Sequence, residues 1–124
     1  MKILLTGATG YIGKRLLPIL VAQGHQIVCC VRDKNRFYCP DEFLKNIEVI
    51  EVDFLKIETL TAIPTDIDAA YYLIHSMSGS DNNYDELERV SAENFVYSIN
   101  KTTAKQVIYL SGIVNDKSLS KHHQ

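Results

Sequence analysis

No stretch of this 124-residue sequence is apolar for long enough to cross a membrane, and Ile3-Leu4-Leu5 behind Met1-Lys2 is too short for the core of a secretory signal. Those two absences argue against a membrane-embedded or secreted protein. A large charge excess is missing as well: 13 Lys and Arg stand against 15 Asp and Glu, for a net charge of −2. A general binder of nucleic acid or of a lipid surface needs a strong field of one sign, so neither partner is expected. Cysteine is scarce, and Cys29, Cys30 and Cys39 form no C-x-x-C pair. That leaves no disulfide framework and no metal site, and points to a reduced chain in the cytoplasm. What remains is 46% hydrophobic and 23% charged, the make-up of one globular domain long enough to bury a core.

The informative stretch lies at the start. Lys2-Ile3-Leu4-Leu5-Thr6 has the pattern of a buried strand and runs into Gly7-Ala8-Thr9-Gly10-Tyr11-Ile12-Gly13, after which Leu16, Leu17, Ile19 and Leu20 recur with helical spacing. Glycines at i, i+3 and i+6 between a strand and a helix each have a use where a diphosphate sits against backbone. The first allows a tight turn, the second lets phosphate approach a residue without a Cβ, and the third lets helix and strand pack closely. A helix opening there offers N–H groups without intrahelical acceptors and the positive end of its dipole, so an anion is favoured. Strand, turn and helix in that order are the context the mechanism requires, which lifts the motif above a purely structural turn. Gly7, Ala8, Thr9, Gly10, Tyr11, Ile12 and Gly13 are therefore assigned to a pyrophosphate cradle.

The first helix is expected from about Tyr11 to Gln23 with Gly24 as its C′ residue, kinked at Pro18, because a mid-helix proline costs about 3 kcal/mol. Ile27 to Val31 is continuously apolar, as in a parallel strand buried on both faces, and it ends at Arg32-Asp33. In a dinucleotide fold this strand tip meets the adenosine ribose, where an acid serves the 2′-hydroxyl of NAD and an arginine accommodates the 2′-phosphate of NADP. Arg32 and Arg36 favour NADP(H), with NAD as the alternative; both arginines would also be ordinary as solvated loop charges. A polar segment with a short helix around Asp41 to Leu44 leads to a third strand, Ile47 to Val52, which ends in Asp53-Phe54. Asp53 is placed to cap a short helix over Leu55 to Ile63. The fourth strand is expected over Asp68 to Ile74. Ile74, His75 and Ser76 then fall at the carboxyl edge of the sheet, where ligands of such folds bind. Asn83 and Glu86 have capping-box spacing and open a helix from Tyr84 to Lys101, with Leu87, Ser91, Phe95 and Ile99 as its packing stripe. Gln106 to Gly112 is the fifth strand and its exit turn. Right-handed crossovers arrange these elements as a Rossmann-type, doubly wound α/β sheet of five parallel strands in the order 3-2-1-4-5.

Thr6-Gly7-Ala8-Thr9-Gly10-Tyr11-Ile12-Gly13, with its G-x-x-G-x-x-G spacing, resembles the short-chain dehydrogenase/reductase superfamily in its extended and atypical branches, NmrA-like and NAD-dependent epimerase/dehydratase-like. The resemblance implies that Asp53, followed by apolar Phe54, lies beside the adenine. It implies that His75 lines the nicotinamide-side ribose, although a histidine at a strand end is as often a satisfied structural residue. Glu93-Asn94-Phe95-Val96 is similar to the family's E-x-N-V stretch, whose asparagine helps to position the active-site lysine through water. The plainer role for Asn94 is a bond to a neighbouring strand carbonyl; in both it faces inward. The fifth strand is similar to the family's V-Y-L-S-S strand, which implies that Ser111 bonds substrate oxygen. Gly112 departs from the pattern.

The family's acid/base pair, Tyr-x-x-x-Lys, follows the fifth strand. Here only Tyr97 and Lys101 have that spacing, and they precede it, so they are assigned to the surface of an amphipathic helix. Only residues 112–124 follow Ser111. The expectation is an NAD(P)-binding domain over residues 1–124, cut short before the C-terminal substrate region, inactive alone, and able to self-associate through the exposed fifth strand. The parent activity implied is that of an NAD(P)-dependent oxidoreductase or nucleoside-diphosphate-sugar epimerase/dehydratase-like protein acting on a small molecule. The alternatives are a non-catalytic NADP(H) sensor of NmrA-like type and an α/β domain of flavodoxin-like topology for another phosphate ligand.

Overall fold

The computed structural model describes residues 1–73 and 82–109, the side chains of 82–84 excepted. Five strands, β1 (Lys2–Thr6), β2 (Gln26–Val31), β3 (Ile47–Glu51), β4 (Ala69–Tyr72) and β5 (Gln106–Tyr109), form one sheet in the order β3-β2-β1-β4-β5. Every pairing is parallel, with Ile3 beside Ile27 on one side and Ala69 on the other. A parallel sheet is covered on both faces, so its central strands are apolar at consecutive positions and each residue chooses a face by parity. Leu4, Val28, Cys30, Ala70 and Tyr72 point to one core. Ile3, Leu5, Ile27, Cys29, Val31 and Ala69 point to the other.

Right-handed crossovers fix what covers each face. The steps from β1 to β2 to β3 place α1 (Tyr11–Ala22) over the second core through Leu17 and Leu20. The sheet reverses beside β1, and the steps through β4 to β5 place α2 (Asn82–Ile99) over the first core through Phe95 and Ile99. Helix α1 continues past Pro18 and ends in a Schellman motif. His25 N–H donates to Leu20 O at 3.3 Å and Gly24 N–H to Val21 O at 3.0 Å, with Gly24 left-handed at φ 86°.

Two expected elements differ. The segment from Leu55 to Ile63 holds a 3-10 helix at Ile57–Ala62, and a second 3-10 helix, Asp41–Asn46, replaces the short helix before β3. The hydroxyls of Thr59 and Thr61 bond back to Lys56 O and Glu58 O, a competition with the backbone that disfavours α-helix in so short a run. Because the first helix position is Ile57, Asp53 does not cap it. Instead its Oδ1 accepts from Leu55 N–H at 2.9 Å, an Asx turn at the exit of β3.

Both cores hold a thiol that burial keeps protonated. The Cys29 thiol is pushed up to about 12 by burial, with Cys39 adding to the effect, and Cys30 is pushed up for the same reason, with Cys29 adding. In the unfolded chain each would ionise near about pH 8.5. The folded state therefore holds the extra protons above that value, and stability present below it is lost as pH rises, by about 1.4 kcal/mol per pH unit for one thiol. Urea unfolding at pH 8 and pH 10 is expected to show that loss, with a shallower slope in Cys29→Ala. An unchanged slope in the variant would count against the buried thiol as the cause.

Candidate functional site

The last residue of β1 begins the site. Thr6 is fully buried; its Oγ1 donates to Tyr71 O at 2.9 Å and accepts from Leu73 N–H at 3.1 Å, tying the carboxyl ends of β1 and β4 together. The chain then turns on Gly7, at φ 73°, where a Cβ would stand 3.1 Å from Leu73 Cβ. Gly10 N–H donates to Gly7 O at 3.0 Å, and the helical ladder begins with Lys14 N–H on Gly10 O. The N–H groups of Tyr11, Ile12 and Gly13 thus have no acceptor within the helix and sit at the positive end of its dipole. The three glycines have separate roles. A Cβ on Gly13 would stand 2.1 Å from Gly7 O, so α1 crosses the turn only because that atom is missing. A Cβ on Gly10 would meet Gly7 O at an ordinary 3.4 Å, so the fold does not need glycine there.

These residues form one end of a cleft of ≈ 880 Å³ along the carboxyl edge of the sheet, within the size range of small-molecule sites. Gly7, Thr9, Gly10 and Tyr11 line that end, Arg32 lines it at the tip of β2, and Asp53, Phe54 and Leu55 at the exit of β3. Tyr72 and Leu73 supply its floor at the end of β4, and Leu87, Glu88 and Ser91 a wall from α2. The Tyr72 hydroxyl and Ser91 Oγ share a buried hydrogen bond of 2.8 Å. Burial pushes the Tyr72 phenol up, against the pull of Ser91, so it stays protonated.

The expected site residues divide accordingly. Ala8 is buried in the core and Ile12 packs against it, so the loop reaches the cleft through Gly7, Thr9, Gly10 and Tyr11. Arg36 lies outside the cleft lining with its side chain 86% exposed, its Nε 3.9 Å from Asp33 Oδ2. Asp33 itself caps the 3-10 helix Lys34–Arg36, accepting from Asn35 N–H at 2.9 Å. Arg32 is thus the basic side chain among the described residues that lines the cleft. Asn94 faces inward, as both sequence readings require, and its Nδ2 donates to Phe54 O at 2.6 Å. Tyr97 and Lys101 form a solvent-facing cation–π pair at 4.3 Å, with Tyr97 exposed. Ile74, His75, Ser76 and Ser111 lie outside the described residues. The contribution of Tyr72, Glu88 and Ser91 was missed by sequence reasoning. Leu87 and Ser91 stood out only as a packing stripe, and spacing alone does not show that its first turn overhangs a cleft.

A Gly-rich turn onto a helix N-terminus, a cation at the tip of β2 and a cleft that both line fit a dinucleotide. A family model described as NAD(P)H-binding matches residues 7–124. The chain belongs to this NAD(P)H-binding family. Its cofactor is a nicotinamide dinucleotide, and among the described residues no group of His, Cys, Asp and Glu could hold a metal ion. No curated protein matches the sequence. Among solved structures, the NAD(P)H-binding domain is similar to a nucleoside-diphosphate-sugar epimerase from Staphylococcus aureus, with 23% identity, TM-score 0.69, and 88% of this chain covering 37% of that one. It is similar to the reductase domain of an aureusimine biosynthetic cluster, with 26% identity, TM-score 0.71, and 90% of this chain covering 33% of that one. An oxidoreductase from Lactococcus lactis shows 25% identity, TM-score 0.71, and 91% coverage of this chain against 49% of its own. The domain therefore spans less than half the length of these structures and corresponds to the cofactor-binding part of the short-chain dehydrogenase/reductase-like fold. No helix among the described residues is long and apolar enough to cross a membrane.

Proposed function

We propose that this domain binds NADP(H) in preference to NAD(H), and that residues 1–124 serve as the cofactor-binding part of an oxidoreductase or nucleoside-diphosphate-sugar epimerase/dehydratase-like protein whose substrate-binding part lies outside them. The observation that carries the preference is the state of the β2 tip. Arg32 lines the cleft, whereas Asp33, the acid that could serve a 2′-hydroxyl, is engaged as a cap by Asn35 N–H. A guanidinium at that tip pairs with a 2′-phosphate. The free thiols of Cys29, Cys30 and Cys39 support a reducing compartment such as the cytoplasm.

A second reading is an NADP(H) sensor without catalysis; Tyr97 and Lys101, the single Tyr-x-x-x-Lys in residues 1–124, form a surface pair on α2 and have no part in the cleft. Hydride transfer to any carbonyl compound by the protein would exclude it.

Titration followed by nicotinamide fluorescence is expected to give tighter binding of NADPH than of NADH. In Arg32→Asp the NADPH affinity is expected to fall roughly 10- to 100-fold, the worth of one charge-assisted hydrogen bond, while NADH changes little. Equal affinities for the two nucleotides in the wild type would refute the preference.

A further inference from the structure

We infer that Asn94 is a positioning residue for the adenosine end of the cofactor cleft, holding the exit of β3 against α2. This rests on the proposed binding of NADP(H). The carboxamide is part-buried on α2, and it donates to the backbone carbonyl of Phe54 across 40 residues of sequence. At 2.6 Å this is a short bond for a neutral amide. It is the polar part of a larger joint. The Phe54 ring is buried, edge-on to Phe95 at 5.8 Å and to Tyr72 at 6.2 Å. Ser91, one turn earlier on the same helix face, holds the Tyr72 hydroxyl. Ser91, Asn94 and Phe95, at i, i+3 and i+4, thus bind one helix face to both the β3 exit and the end of β4.

The consequence concerns the cleft because the joined parts are its lining. Val52, Asp53, Phe54 and Leu55 line the cleft from the exit of β3, and Leu87, Glu88 and Ser91 line it from α2. The Asp53 carboxylate is turned onto Leu55 N–H, and Asp53 N–H donates to Thr59 Oγ1 at 2.9 Å. These bonds fix the turn internally. The Asn94 bond fixes its distance from α2, and so the relative placement of the two elements that line the cleft here. The glycine turn and the α1 N-terminus are built on other bonds, so loss of the carboxamide should weaken recognition of the adenosine portion and leave the phosphate cradle intact.

The probe is adenosine 2′,5′-bisphosphate, which carries the adenosine half and no nicotinamide, titrated alongside NADPH. In Asn94→Leu, close in volume but with no donor, both are expected to lose affinity by the same factor, roughly tenfold for one hydrogen bond. Asn94→Gln, which keeps the amide, should recover part of the loss. Wild-type affinity for both probes in the folded variant would overturn the inference, as would a loss confined to NADPH, which would place the effect at the nicotinamide end. If Asn94→Leu does not fold, the wild-type Asn94 Nδ2 resonances decide: the bisphosphate should shift them, and their indifference to it at saturation overturns the inference. Failure of the wild type to bind either probe would instead sink the NADP(H) reading on which this one rests.

Discussion

Gly13→Ala is expected to destabilise the domain by on the order of 3 kcal/mol, the upper range for overpacking, and to lower its Tm by roughly 10–15 °C. The methyl would stand 2.1 Å from Gly7 O and 2.9 Å from both the Gly7 carbonyl carbon and Ala8 Cα. All three are backbone atoms, so no side chain can swing aside. Relief requires α1 to move away from the turn, which breaks the Gly10 N–H bond to Gly7 O and opens the cradle. Gly10→Ala provides the contrast. Its methyl meets a single atom at 3.4 Å, so the variant is expected to melt close to the wild type while losing affinity for NADPH, the loss that a pyrophosphate contact with the Gly10 backbone requires. Thermal melts and NADPH titrations of the two variants separate the roles. Similar melting of Gly13→Ala and the wild type would show that helix and turn are not in contact as described.

Phe95→Ala is expected to cost about 3–5 kcal/mol, the range for deleting a buried aromatic side chain. Phe95 is 2% exposed and lies between Tyr72, at 4.5 Å between ring centres, and Phe54, at 5.8 Å. Tyr72 also stacks on Tyr109 at 5.1 Å, so the cluster links β3's exit, β4, α2 and β5. The void would sit beneath the cleft's floor and beside Asn94. Such a cost is a large share of the roughly 5–15 kcal/mol by which a domain is stable, and urea unfolding is expected to show it directly. Phe95→Leu, which refills most of the volume, should recover more than half. A cost below about 1 kcal/mol for Phe95→Ala would mean that α2 is not anchored through this ring.

The outer strand completes the picture of the sheet. Val107 is 43% and Tyr109 52% exposed on β5, in contrast to the central strands, whose residues are almost wholly covered. Among the described residues β5 pairs with β4 alone. Among the described residues burial is thus strongest on β1 and β2 and weakest on β5.

The order of elements and the glycine turn between β1 and α1 were legible in the sequence because both depend on local rules. A continuous apolar run such as Ile27 to Val31 can be satisfied only between two covered faces, and glycines at positions 7, 10 and 13 answer steric demands within one turn of chain. The parallel order followed from crossover handedness. The arrangement of the far wall did not follow. Asp53 on Leu55 N–H and Asp33 on Asn35 N–H are contacts two residues apart, one of several local choices open to each aspartate, whereas Ala8 entering the core beneath α1 and Asn94 reaching Phe54 O are outcomes of how the helices pack on the sheet. Hydrogen bonds between residues 40 apart leave no period in a sequence. The sequence by itself thus determined the strands, the sheet order and a glycine turn onto a helix N-terminus; the tertiary structure decided which side chains line the cleft, because that depends on which of several available partners each polar group meets when the faces close.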